Sequence, residues 1–434
     1  MRATPSSVKH LALLVIVLIC SASMCLYWSR ITNAVHASRA SSSVLKPAVL
    51  TDLYPRWYGA RELLLHHRDP YGADVSRELQ IAYYGKELDP SRAEERRDQQ
   101  RFAYPLYFVF LIAPLAWMQF HTAQIVFWWV LVASAIVNIF LWLRFLRLHL
   151  SPLALAATFA MVLTSIPVIQ NLSILQPFLL PACFIAAAAA AVISRRLFLV
   201  GALLAAATVK PQICLLPLAW FALWMCSDWK RRRSLLWGFA VTFAILLVAS
   251  QWLLPGWLLQ YPAALRAYAS YTNATSLVGM LLPSPLHWLV TALALVTVAT
   301  FCWRVRREPA DSAAFAMALS FALTLTVSIV PAVVQPFNHV LLLPAVLLAI
   351  RHWRELRTAN LVVRSATSLF CLCAFLPWLL AVVAVANPLT PHSDWLLRMW
   401  SVPLAASMAL PFAAFGMLIL LRRTIASQAS ESTT

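Results

Sequence analysis

Charge is what this sequence has least of: Asp, Glu, Lys and Arg make up 12% of its 434 residues, against about a quarter in a soluble domain. With 62% of residues hydrophobic, the composition excludes a soluble globular domain and a disordered chain. Glycine is scarce too, with eight in all and no Gly-rich phosphate loop, which argues against a P-loop ATPase or a Rossmann enzyme. There is no HExxH motif and no CxxC pair. The eight cysteines (Cys20, Cys25, Cys183, Cys214, Cys226, Cys302, Cys371 and Cys373) lie inside apolar runs, where cysteine is a small packed hydrophobe rather than a disulfide partner or zinc ligand.

What is present is a succession of apolar runs of roughly 20 residues, the signature of an all-α polytopic membrane protein. The excess of 34 basic over 16 acidic residues then reads as the asymmetry that fixes membrane orientation, not as nucleic-acid binding. Arg2 and Lys9 precede the first run, Leu11–Trp28, which is favoured as an uncleaved anchor running from cytoplasm to outside. The alternative is a signal peptide cut near Ala34–Ala37. Further runs cover Ala123–Leu143, Leu153–Val168, Ile174–Ile193, Leu197–Val209, Ile213–Cys226, Leu235–Leu254, Leu286–Trp303, Ala313–Val334, Val340–Ile350, Ala366–Ala386 and Pro403–Leu421. If Tyr104–Phe120 lies along the outer surface and Leu197–Cys226 turns back at Lys210-Pro211, 19 basic residues fall on the cytoplasmic side and three in the short outer loops. Letting Tyr104–Phe120 cross and keeping Leu197–Cys226 as one helix moves Arg144, Arg147, Arg195 and Arg196 outside, a worse fit. The preferred reading has 12 crossings with both termini cytoplasmic. It divides the chain into an anchor helix (1–29), an extracytoplasmic loop with juxtamembrane helices (30–122), a multi-span bundle (123–421) and a cytoplasmic tail (422–434).

That geography sorts the chemistry. Ten of the 16 carboxylates fall in the first outer loop, so acid–base work outside would fall to one of them. The stretch 86–101 is densely charged and reads as a solvated tip. Asp52 differs, standing among Leu50, Leu53, Tyr54, Trp57 and Tyr58. Partial desolvation there would raise its basicity, as a general base needs. A helix N-cap explains the same residue equally well. Asp69, in Arg68-Asp69-Pro70-Tyr71-Gly72, reads as a turn residue.

Lys210 interrupts an apolar stretch, where insertion scales put a lysine at about 2.5–3.5 kcal/mol, and therefore wants a partner or a polar cavity. Pro211 disfavours helix at Lys210 and frees backbone groups there. An anionic ligand such as a phosphate would neutralise the ammonium; snorkelling to the interface is the other reading. Gln170, Asn171 and Gln176 share the outer side, as do Asn338 and His339 in Gln335-Pro336-Phe337-Asn338-His339. A lone histidine at a helix end serves as a structural donor or as a substrate ligand, and both remain open for His339.

Taken in order, the anchor, Asp52-Leu53-Tyr54, Asp69-Pro70-Tyr71, Tyr104-Pro105 opening a surface helix, Lys210-Pro211 late in an Ala-rich helix, and Asn338-His339 opening a late span resemble the GT-C glycosyltransferases. The resemblance is greatest to glycosyltransferase family 87, the polyprenyl-phosphate-mannose-dependent α-mannosyltransferases. The chain departs from the usual pattern in having Leu106 after Tyr104-Pro105 and Asn171-Leu172 after the third span. The resemblance implies a GT-C-like bundle in the cell membrane that moves a hexose, with mannose first choice, from a polyprenyl-phosphate donor to a glycolipid or glycan acceptor at the outer face. It implies Asp52 as general base, Lys210 as the donor-phosphate ligand, and Tyr54, Tyr104, Gln176, Asn338 and His339 as substrate-binding residues. Neither a cofactor nor a catalytic metal is expected, since carboxylates are too few outside the first loop to build a cage. A transporter or flippase of a lipid-linked sugar is the alternative, suited by the spans and the Pro-broken, charged hairpin.

Overall fold

A computed structural model describes residues 5–33, 50–89, 91–92, 99–272, 275–331, 333–386 and 400–431. Among them every regular element is helical. The signal-peptide cleavage site weighed at Ala34–Ala37 and part of the charged tip (90 and 93–98) lie outside the described residues. Helix α1 (Pro5–Leu26) runs on through a π-helical turn, Tyr27–Thr32. The polar segment then folds into α2 (Leu53–His66) and α3 (Ala73–Tyr84). Arg68 clasps these two helices together, reaching Glu62 at 2.7 Å, Asp74 at 2.8 Å and Glu78 at 2.8 Å. Hydrogen bonding to that guanidinium holds the Asp74 and Glu78 carboxyls below the usual range.

The nine-residue α4 (Phe108–Ala116) is about 13 Å long at roughly 1.5 Å per residue, less than half a hydrocarbon core, and it packs along α2. A surface placement fits that length. The helix starts at Phe108, and Tyr104 and Pro105 sit in the turn before it rather than in its first turn.

From α5 (Phe120–Phe145) onward the helices are mostly apolar, the short Trp229–Arg232 and Trp353–Thr358 being charged exceptions. Helices α6 (Pro152–Leu163) and α7 (Ile166–Ser173) meet at a 51° bend. Pro167 lies in the first turn of α7, where a missing N–H is tolerated, and cannot continue α6. Next come α8 (Leu179–Ile193), α9 (Leu197–Ala207), α10 (Pro211–Cys226), α11 (Ser234–Leu253), α12 (Trp257–Thr272), α13 (Leu286–Val305) and α14 (Ala313–Ile329). A 3₁₀ helix, Pro336–Leu342, leads into α15 (Leu343–Arg351). Helices α16 (Leu361–Ala386), α17 (Val402–Ser407) and α18 (Leu410–Glu431) complete the described chain.

Among the described residues six stretches can cross a bilayer by length and composition, or seven with the bent pair taken as one span. Five further apolar helices are shorter, at 10–17 residues. The expected run Ile174–Ile193 is helical only from Leu179, and Ile174–Phe178 form a link that matters below. Outward faces carry bare apolar side chains, among them Ile16, Trp129, Val248, Trp252, Val296 and Val362, a surface made for lipid rather than water. The core gathers around α14, whose side chains are buried along nearly its whole length. Phe315 at its start lies against Phe145, Trp220, Phe221 and Trp224. The hydroxyls of Ser320, Thr326 and Ser328 donate back to carbonyls four residues earlier, so this interior helix hides few unmet polar groups.

The loops sort into two ends. At one, Arg144 donates to Ser194, Arg147 pairs with Asp311, Arg351 donates to the Leu146 carbonyl and Arg232 donates to Trp224, Ser227 and Arg306. At the other, the Asp52 N–H donates to the Ile174 carbonyl and Gln260 donates to Asp69. The basic loops assigned to a single side of the membrane are thus held together by direct contacts.

Helices α9 and α11 make the most extensive helix–helix contact, and glycine is the reason. A Cβ at Gly201 would collide with the Leu235 carbonyl, and one at Gly238 with the Phe198 carbonyl, so the backbones touch. Overpacking typically costs 1–3 kcal/mol; here backbone must move, so Gly238→Leu is expected to cost at least about 3 kcal/mol. Gly416→Ala, whose added methyl meets nothing within 4 Å, should leave stability unchanged. Thermal unfolding of both variants in detergent checks this.

Candidate active site

Asp52 occupies the N-cap position of α2, yet its side chain makes no capping hydrogen bond. Instead Gln176 donates from Nε2 to Asp52 Oδ2 at 2.8 Å, and the Gln176 carbonyl faces the Tyr104 hydroxyl at 3.3 Å. Asp52 thus holds the N-cap position with helical backbone angles (φ −58°, ψ −16°), and its carboxylate faces across the fold instead of capping. The link Ile174–Phe178 makes this possible. Leu175 adopts a left-handed φ of 52°, uncommon for a branched residue, and the Gln176 N–H returns to the Asn171 carbonyl at 2.9 Å. Strain of this kind concentrates where a side chain must be aimed.

Arg56 lies one turn beyond Asp52. Its guanidinium donates to the Asp52 backbone carbonyl and sits 5.0 Å from the centre of the Tyr104 ring. Burial works against this charge, but Tyr104 and Asp52 outweigh it and hold the guanidinium protonated above its ordinary range. Burial likewise pushes the Tyr104 phenol up. The sequence reading passed over Arg56. The signal was its spacing, i+4 from Asp52 on a helix, lost among the basic residues of the first loop.

Lys210 stands at the break between α9 and α10, with φ −129° and ψ 79° immediately before Pro211, and is only 7% exposed. Its Nζ is 4.6 Å from the Phe178 ring centre and 5.1 Å from that of Phe337, a cation against two aromatic faces. It lies within electrostatic reach of both Asp52 and Arg56. Beside it, the Tyr107 hydroxyl bonds to the Thr208 carbonyl at 3.0 Å and approaches the Thr208 hydroxyl at 3.1 Å.

Phe337 connects this group to the next. Asn171 donates to its carbonyl at 2.9 Å, and Asn338 and His339 follow it on the 3₁₀ helix. Both are buried, and the amide atoms of Asn338 and both imidazole nitrogens of His339 lack a hydrogen bond of good geometry. The imidazole faces the Ser407 backbone of α17. The structure thus gathers Asp52, Tyr104, Gln176 and Lys210, and sets Asn338 and His339 one residue layer away, beyond Phe337. Tyr54 packs among Trp57, Tyr58, Tyr83 and Phe120, on the flank of α2 near Glu62 and Glu78. Asp69 is the turn residue expected, accepting from the Tyr71 N–H at 2.8 Å, and it also fastens α12 through Gln260 at 2.7 Å. Among the described residues no three His, Cys, Asp or Glu side chains cluster in a way that could hold a metal ion.

Asp52, Arg56, Lys210 and the Gln176 amide thus lie together in a helical membrane protein. The comparison with known families makes this specific. The family profile of Glycosyltransferase family 87 matches residues 102–331, just over half of the sequence, and the chain belongs to that family. The matched segment includes Tyr104, Gln176 and Lys210 and leaves Asp52, Asn338 and His339 outside. No curated protein matches the chain. Family and apolar helices together define a membrane glycosyltransferase, and the transporter reading gives way to it.

Proposed function

We propose that this glycosyltransferase moves a hexose, with mannose first choice, from a polyprenyl-phosphate donor to a hydroxyl of an envelope glycolipid or glycan at the outer face of the cell membrane. The supporting observation is that the short link Ile174–Phe178 ties together Asp52 and Lys210, far apart in sequence: Gln176 donates to the Asp52 carboxylate at 2.8 Å, and the Phe178 ring lies 4.6 Å from Lys210 Nζ. Asp52 takes the proton of the acceptor hydroxyl as that oxygen attacks the anomeric carbon. The bond from that carbon to the phosphate oxygen breaks on the opposite face, so the configuration inverts and polyprenyl phosphate leaves. Lys210 meets the negative charge that grows on the leaving oxygen. Gln176, with Tyr104 behind it, orients the Asp52 carboxylate, and Asn338, His339 and Tyr54 contribute to binding donor or acceptor.

In this reading the five shorter helices complete the 12 crossings expected from the charge pattern, and both termini are cytoplasmic. Cysteine labelling tests the orientation. In a background without native cysteines, Ser91→Cys is expected to react with a membrane-impermeant maleimide on intact cells, and Arg231→Cys only after permeabilisation. The chemical reading is tested by turnover of purified protein with polyprenyl-phosphate mannose and extracted membrane glycolipids, a new glycosidic bond being detected by mass spectrometry.

A further inference from the structure

Arg56 has no part in the mechanism so far, yet its surroundings are those of a working residue. A carboxylate moved toward the membrane interface loses hydration, and its charged form becomes harder to maintain. Asp52 must nevertheless be ionised to accept a proton. Among the described residues the groups facing it include Arg56 on its own helix, Tyr104 before α4, Gln176 between α7 and α8, and Lys210 between α9 and α10. Tyr104 and Gln176 are neutral. Lysine can lose its proton in a buried setting, whereas arginine cannot, so among these groups the permanent positive charge is that of Arg56.

We propose that Arg56 is a positioning residue for the transfer, a fixed cation that holds the Asp52 carboxylate ionised and, through the Asp52 carbonyl, sets where α2 begins. This rests on Asp52 being the base. Charge bookkeeping supports it. Asp52, Arg56 and Lys210 sum to one positive charge, which a phosphodiester donor of one negative charge neutralises. After transfer the proton is on Asp52 and the departing phosphate carries two negative charges, and the sum is again zero. Without Arg56 the site would carry a net negative charge in both states. The stem of Arg56 and the face of Tyr104 leave the guanidinium little freedom, so its charge is delivered in one place.

The test needs no substrate. A hydrophobic carbodiimide modifies protonated carboxyls, and mass spectrometry of the Asp52 peptide across pH 4 to 9, on the full chain in nanodiscs, gives the pH of half-modification. An opposite charge within about 4–6 Å shifts a carboxylate by about 1–3 pKa units, so Arg56→Gln is expected to raise that pH by roughly one unit or more. Arg56→Lys should restore it to within a few tenths. In turnover assays the acid limb of kcat/KM should move up by the same amount in Arg56→Gln, making its defect larger at pH 6 than at pH 8. An Asp52 labelling profile unmoved by Arg56→Gln, or moved equally by Arg56→Lys, overturns the inference. The underlying reading has its own outcome: full turnover in Asp52→Asn would remove the base while leaving the labelling result intact.

Discussion

Asp52→Asn is expected to abolish sugar transfer while leaving the protein folded and inserted. The amide keeps the shape of the side chain but cannot accept the acceptor's proton. General-base catalysis is typically worth about 10² to 10⁴ in rate, so a drop of at least about 10² in kcat is the expected result. The variant also turns an acceptor of the Gln176 hydrogen bond into a group that can flip to suit it, so local structure should survive. Thermal stability equal to wild type within about 1 kcal/mol, together with lost turnover, separates chemistry from folding. Measurable transfer at more than a tenth of the wild-type rate would remove Asp52 from the mechanism.

Lys210→Met is the second large effect. The unbranched thioether fills the space of the lysine stem against Phe178 and Phe337 but carries no charge. Losing one group that stabilises developing negative charge typically costs about 10² to 10³ in kcat, and that is the range expected here. The sign for stability is opposite. A buried ammonium is expensive to keep, so Lys210→Met should unfold at a higher temperature than wild type. Activity falling while stability rises is the mark of a residue retained for function, and kcat measured beside a melting curve reads both. A variant that loses stability and activity together would make Lys210 a structural lysine.

How much of this was legible beforehand depends on the kind of signal. Spans such as α5 and α11 announce themselves through hydropathy alone, because lipid imposes one requirement on every residue facing it. The break at Lys210 was equally readable, since proline and a charge in an apolar stretch have few solutions. The late start of α8 was legible only in part. Pro177 disfavours helix at Gln176, but the aiming of Gln176 at Asp52 is a tertiary feature with no local signal. Arg56 escaped for a related reason. One arginine among many in a charged loop has no distinguishing pattern until the fold lays it across Tyr104. His339 illustrates the converse, a residue easily picked from sequence whose imidazole the fold turns toward Ser407.

The shortness of α9 carries a consequence for the lipid around it. Eleven residues reach about 16 Å at roughly 1.5 Å each, around half of a usual hydrocarbon thickness. Phe198 and Leu199, in its first turn, are exposed, and a bilayer there would meet a helix too short for it. Bilayers answer such mismatch by thinning, at a fraction of a kcal/mol per Å. A dimple beside α9 would draw headgroups down toward the level of Lys210, shortening the descent of a phosphate from the surface to the ammonium. Turnover should then be faster in short-chain than in long-chain phospholipid bilayers.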